Sequence, residues 1–154
     1  MRLTARRISP TRGGLALLLT GAVGCSGPQP TLEPLAQPSR AAFALEAGPV
    51  LATRCGDWSC HGDASRPFAL FAVGRRRLRQ ADAVGRRPLA DDEIDANWRA
   101  TLGFLDAPLG RDTTLVRKAL GVGGKGGHHG GAVFEAQSDP ECRAIIRWIE
   151  GSEG

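Results

Sequence analysis

The chain has 154 residues, room for one small domain, and carries 20 Lys and Arg against 16 Asp and Glu. The whole excess sits at the start: Arg2, Arg6, Arg7 and Arg12 lie in a stretch of 25 residues without an acid, so the rest is balanced at 16 against 16. That neutrality removes the basic face a nucleic-acid partner requires. With no Tyr, no Ser/His/Asp order and no paired-carboxylate motif, nothing in the chain points to an enzyme.

Residues 1–25 read as an export signal. The four arginines form its basic beginning, and Leu15 to Val23 form an apolar core too short to span a bilayer as a helix. Ala22-Val23-Gly24-Cys25 resembles a bacterial lipobox, in which the cysteine is lipidated and becomes the mature N-terminus. Ser26, in place of Asp, implies by the same resemblance the outer membrane, with the protein facing the periplasm. Residues 26–39 hold Pro28, Pro30, Pro34 and Pro38 among polar residues, an extended tether with too few apolar side chains to pack. The folded part is expected from Arg40 to the end.

An Ala-rich stretch from Ala41 to Arg54 places Phe43, Ala47, Val50 and Leu51 on one helical face, with Gly48-Pro49 as a kink or a fresh start. It delivers Cys55 at its C-terminal end. Pro67 to Val73 is a short apolar run, a strand or an extended segment crossing the core. Arg75-Arg76-Arg77 with Arg79, and Arg86-Arg87, read as solvated loops, or else as cations facing an acidic redox partner or haem propionates. Asp91-Asp92-Glu93 opens a helix at its positive end, followed by Ile94, Trp98, Thr101, Leu102 and Leu105 at helical spacing. A shorter helix is expected from Arg111 to Leu120. Ser138-Asp139-Pro140-Glu141 starts the last one, with Cys142, Ile145, Ile146 and Ile149 on its buried face and Gly151 as the stop.

The chemistry concentrates in Cys55-Gly-Asp-Trp-Ser-Cys60-His61-Gly62. Its tail matches the c-type haem attachment pattern C-x-x-C-H, in which two thiols bond the haem vinyl groups and the His ligates iron. The spacing here is C-x4-C-H, and four intervening residues can bulge and still present both sulfurs. Haem c would use Cys55 and Cys60 as anchors and His61 as ligand. The only methionine is Met1, so a His/Met pair is impossible in the mature chain, and His128 or His129 is left for the sixth position. Both ride on a Gly-rich loop, residues 121–131. That loop contains G-x-G-x-x-G, but it follows a helix where a dinucleotide site needs a strand.

Two other readings use the same residues. Cys55, Cys60, His61 and one of His128 and His129 make a Cys2His2 zinc set. Alternatively, a haemless envelope lipoprotein would be stabilised by a disulfide. Three thiols remain once Cys25 is lipidated, so Cys142 is either free or paired with Cys55 or Cys60.

Cys55-x4-Cys60-His61-Gly62, Pro67-Phe68-Ala69-Leu70, the run through His128-His129 to Phe134, and Asp139-Pro140 with Ile145, Trp148 and Ile149 together resemble cytochrome-c-like bacterial lipoproteins over most of residues 43–150. The resemblance implies an all-α, loop-rich domain in which the first and last helices pack together. It also implies one-electron transfer with a redox partner protein.

Overall fold

The computed structural model describes residues 37–106, 110–122 and 128–151, all within the unit Leu35–Gly154. The lipobox Cys25, the signal and most of the tether lie outside the described residues, as does the middle of the Gly-rich loop. The fold is all-α. Six helices and no strand occur among the described residues: α1 Arg40–Leu45, α2 Ala47–Arg54, α3 Gln80–Val84, α4 Asp91–Leu102, α5 Thr114–Ala119 and α6 Pro140–Glu150. None is long and apolar enough to cross a membrane.

The first helical stretch breaks at Glu46, which ends α1 and begins α2, so Pro49 falls in the first turn of α2 where its missing N–H costs nothing. Its expected face is the buried one, with Phe43, Ala47 and Leu51 almost wholly enclosed. The folded unit begins earlier than Arg40. Pro38 is buried, its carbonyl accepts a bond from Trp98 Nε1 (3.2 Å), and Ser39 O accepts one from Trp148 Nε1 (2.8 Å). Ser39 also caps α1 through Ala42 N.

The last helix forms as its residues dictate. Asp139 accepts from Glu141 N and Cys142 N, Pro140 sits at the first turn, and Gly151 closes the helix in the left-handed region at φ 64°. Its apolar stripe of Cys142, Ile145, Ile146 and Ile149 is buried against α2 and α5. Thus the first and last helices pack together, with Phe43 and Trp148 meeting edge to face at 5.0 Å. Arg54 and Glu141 close the same contact at its open end, Nε to Oε2 3.0 Å.

Helix α4 packs across α1 and α2. Helix α5 is shorter than its sequence pattern, because residues 110–113 turn and the Asp106 carboxylate takes the Thr114 N–H and hydroxyl as a cap. Residues 67–73 form no strand; they bend at 67–68, run without regular structure through 69–72 and turn at 73. Asn97 of α4 holds them instead: its Oδ1 accepts from Phe71 N (2.7 Å) and its Nδ2 donates to Phe71 O (2.9 Å).

The arginine run is only partly solvated: Arg79, Arg86 and Arg87 are exposed, but Arg77 turns inward. Arg77 is buried with Glu93, 2.7 Å apart, their side chains 1% and 0% exposed. All five guanidinium donors are used, on the Glu93 carboxylate and on the carbonyls of Asp82, Arg87 and Pro88. Arg79 pairs with Asp92, Arg75 with Asp57 and Arg87 with Asp82, while Arg76 lies over the Phe71 ring. Arg77 therefore fastens the segment 79–88, including α3, onto the start of α4.

Candidate functional site

Helix α2 ends at Cys55, whose N–H still reaches Leu51 O. The two residues by which the motif exceeds C-x-x-C-H are taken up in a turn. Asp57 Oδ1 accepts from Ser59 N (3.1 Å) and Ser59 Oγ (2.8 Å), and Asp57 O accepts from Cys60 N and Gly62 N. The loop then closes on itself, His61 N donating to Cys55 O at 3.1 Å. The long spacing becomes a compact bulge that still returns Cys60 and His61 beside Cys55.

Gly62 is essential to that closure. A Cβ there would stand 2.6 Å from Gly56 O and 2.8 Å from both the carbonyl carbon and oxygen of Asp57. These are backbone atoms that cannot swing aside. Gly62→Ala is expected to cost about 1–3 kcal/mol of stability, typical of overpacking. Urea unfolding checks this, and an unchanged midpoint would contradict the closed loop described here.

His61 is oriented by the segment 67–73. Its Nδ1 lies 2.7 Å from Phe68 O, and since a carbonyl only accepts, Nδ1 must carry the proton. Nε2 is then the nitrogen with a free lone pair. The ring also leans on Phe68 at 4.8 Å, and Leu70 N donates to His61 O. A chain of contacts runs from α4 through Asn97 and Phe71 to Phe68 and the imidazole. Partial burial holds the His61 pKa below its ordinary value, with the nearby His128 adding to the effect and the Phe68 bond opposing it. His61 is neutral at pH 7, the form that ligates metal.

His128 is brought to the same place. Its ring centroid is 5.8 Å from that of His61, and its Nδ1 donates to Gly131 O at 2.8 Å, again leaving Nε2 free. His129 is exposed and has no such tie. A cavity of about 470 Å³ is lined by Cys60, His61, Phe68, Phe104, His128 and His129, with Arg66 and Lys118 as its cations. A second of about 310 Å³ shares Cys60, His61 and His128 with it and adds Cys55. Cys55, Cys60 and His61 of the motif thus line adjoining hollows together with His128.

The three described cysteines differ. All are free thiols, and no disulfide joins Cys142 to Cys55 or Cys60. Cys142 packs as a small apolar side chain on α6. Burial, with Cys60 nearby, pushes the Cys55 thiol up to about 11, so it is protonated and inert in the folded domain. Cys60 is half-buried. In the folded domain without ligand, Cys60 is expected to react fast with a thiol reagent, and Cys55 and Cys142 only on unfolding. Mass-spectrometric mapping of the alkylated peptides checks the order.

Among the described residues no three His, Cys, Asp or Glu side chains converge as a metal-ion site, so the zinc set is not preassembled. The motif pointed to Cys55, Cys60 and His61, but not to Phe68, Phe104, Arg66 or Lys118. Phe68 had one available signal, a Pro-Phe pair shortly after the His. Phe104 had none, since it belongs neither to a motif nor to the helical face expected from Ile94 to Leu105. The chain matches no protein-family model, no curated protein and no solved structure.

Proposed function

We propose that the domain carries a covalent c-type haem and transfers single electrons at the cell envelope. In this reading it is anchored in the outer membrane through lipid on Cys25, faces the periplasm, and meets a redox partner protein there. The observation that carries the reading is the His61 ring, fixed by Phe68 O in the tautomer that leaves Nε2 available beside two cysteines and an aromatic-walled cavity.

The residues fit the group. Cys55 and Cys60 would hold the macrocycle by thioether bonds, and His61 would ligate the iron. Because Cys55 is enclosed in the folded domain, a thioether there would have to form before the chain closes around it. His128, rather than His129, would be the second histidine available to the iron. Its ring centre lies 5.8 Å from that of His61, and its Nδ1 is likewise held by a backbone carbonyl. Phe68 and Phe104, tilted against each other with ring centres 4.9 Å apart, would keep water from one wall. Arg66 and Lys118, which line the same cavity, would supply positive charge near the propionates.

Bound haem supplies a one-electron iron couple, which in bis-His form lies lower in potential than with a His/Met pair. The protein's part is to hold the ring, fix the His61 tautomer and limit solvent access, with no proton transfer required.

Two comparisons test the assignment. After export with c-type maturation factors, haem should stay with the chain on a denaturing gel and disappear in Cys55→Ala/Cys60→Ala. His128→Ala should change the optical spectrum and His129→Ala should not. Haem that dissociates on denaturation, or the reverse order of the two histidines, would overturn the corresponding assignment.

A further inference from the structure

A cavity of about 640 Å³ opens elsewhere on the domain and shares no lining residue with the hollow of His61, Phe68 and His128. Its walls are mainly apolar, from Phe43, Ala52, Val73, Leu89 and Ile94. Asn97 also reaches it, but that amide is already committed to Phe71. Two charged residues line the cavity, Arg75 and Arg86, and no acid does.

Those two cations are not equivalent. Arg75 is engaged with Asp57 at 3.5 Å and with Thr53 O. Arg86 has neither an ion pair nor a side-chain hydrogen bond among the described residues. Its backbone is in the left-handed region at φ 47°, the only non-glycine there among the described residues. That conformation is costly for a long side chain. The Arg77 bonds to Asp82, Arg87 and Pro88 brace its loop on either side. Gly74 makes room for the arginine: a Cβ at that position would lie 3.3 Å from Arg86 Nε.

An unpaired guanidinium in a braced, strained position beside an apolar hollow is complementary to one kind of small molecule. We infer that this cavity binds a monocarboxylate with an apolar tail, of the fatty-acid class, its carboxylate taken by the Arg86 fork and its tail by the Phe43–Ile94 walls. The site is independent of the haem reading, and its test does not need haem.

Calorimetric titration of the full chain compares dodecanoate, dodecanol and acetate, each below the concentration at which it self-associates. Dodecanoate is expected to bind once per chain. Dodecanol, without the charge, and acetate, without the tail, should each bind at least about tenfold more weakly. Arg86→Asn removes the charge with a residue that tolerates positive φ, and should weaken dodecanoate by a similar factor without lowering the melting temperature. No saturable dodecanoate binding, equal binding of dodecanol, or dodecanoate binding unchanged in a folded Arg86→Asn would each overturn the inference. The comparison of dodecanoate with dodecanol decides on the unmodified chain even if the variant fails to fold.

Discussion

Glu93→Ala is expected to destabilise the domain by about 3–5 kcal/mol, much of what a domain of this size has to lose. The substitution strands the Arg77 guanidinium, 1% exposed, with no countercharge in the interior. It also removes the acceptor of Leu78 N (2.7 Å) and Ala90 N (3.0 Å), so the start of α4 loses its anchor. Denaturant unfolding measures the loss. Arg77→Met/Glu93→Leu should recover part of it, because no unpaired charge is then left inside. A Glu93→Ala midpoint within error of the parent would contradict the buried pair.

The same carboxylate gives the fold an acid limit. Burial alone would raise its pKa, but the Arg77 hydrogen bonds and the Leu78 and Ala90 amides override burial and bring it down to about 2. An unfolded glutamate protonates near its ordinary value of about 4.3. Between these values the unfolded chain binds a proton that the native domain refuses, so stability falls as pH drops from roughly 4.5 towards 2. His61 adds a second, earlier loss of the same sign. Its folded pKa is depressed, so the unfolded chain gains a proton first as pH falls below about 6.5. Glu93→Ala should flatten the lower part of this profile and leave the upper part in place.

Trp148→Ala is expected to cost about 3–5 kcal/mol, the range for removing a large buried aromatic. Trp148 is 2% exposed, meets Phe43 edge to face, and donates to Ser39 O. It is the point at which the last helix grips the chain entering the first. Trp148→Phe keeps most of the ring contact and loses the hydrogen bond, and should cost markedly less. Equal losses in the two variants would show that ring volume is not what Trp148 contributes. Both can be followed by thermal unfolding.

The helices that were legible in the sequence are those whose ends carry local chemistry. Asp139, Pro140 and Gly151 bound α6, and the acids at 91–93 open α4, each within one turn of the residues they control. Helix α5 was too long on paper because the Asp106 cap on Thr114 lies outside its own periodic pattern. Helix α3 was not legible at all. It has five residues, none of them buried, and is held by Arg77 bonds that no local pattern contains. The Arg77–Glu93 pair misled for the same reason: sixteen residues separate the partners, and a run of arginines looks solvated until its acids are placed.

At the site, Cys55, Cys60 and His61 were legible because thiols and imidazoles adjacent in sequence remain adjacent in the folded loop. The choice between His128 and His129 was not. It depends on a bond to the Gly131 carbonyl and on which ring the glycine loop turns towards His61. The group that orients His61 is another backbone carbonyl, Phe68 O, which has no residue-type signature.

The most direct test of the electron-transfer reading is a pyridine haemochrome spectrum of the chain, exported in a host with c-type maturation machinery. The account predicts about one covalent haem per chain, lost when Cys55 and Cys60 are both replaced by alanine. A colourless protein that is folded, with Cys55 and Cys60 still thiols, would contradict it.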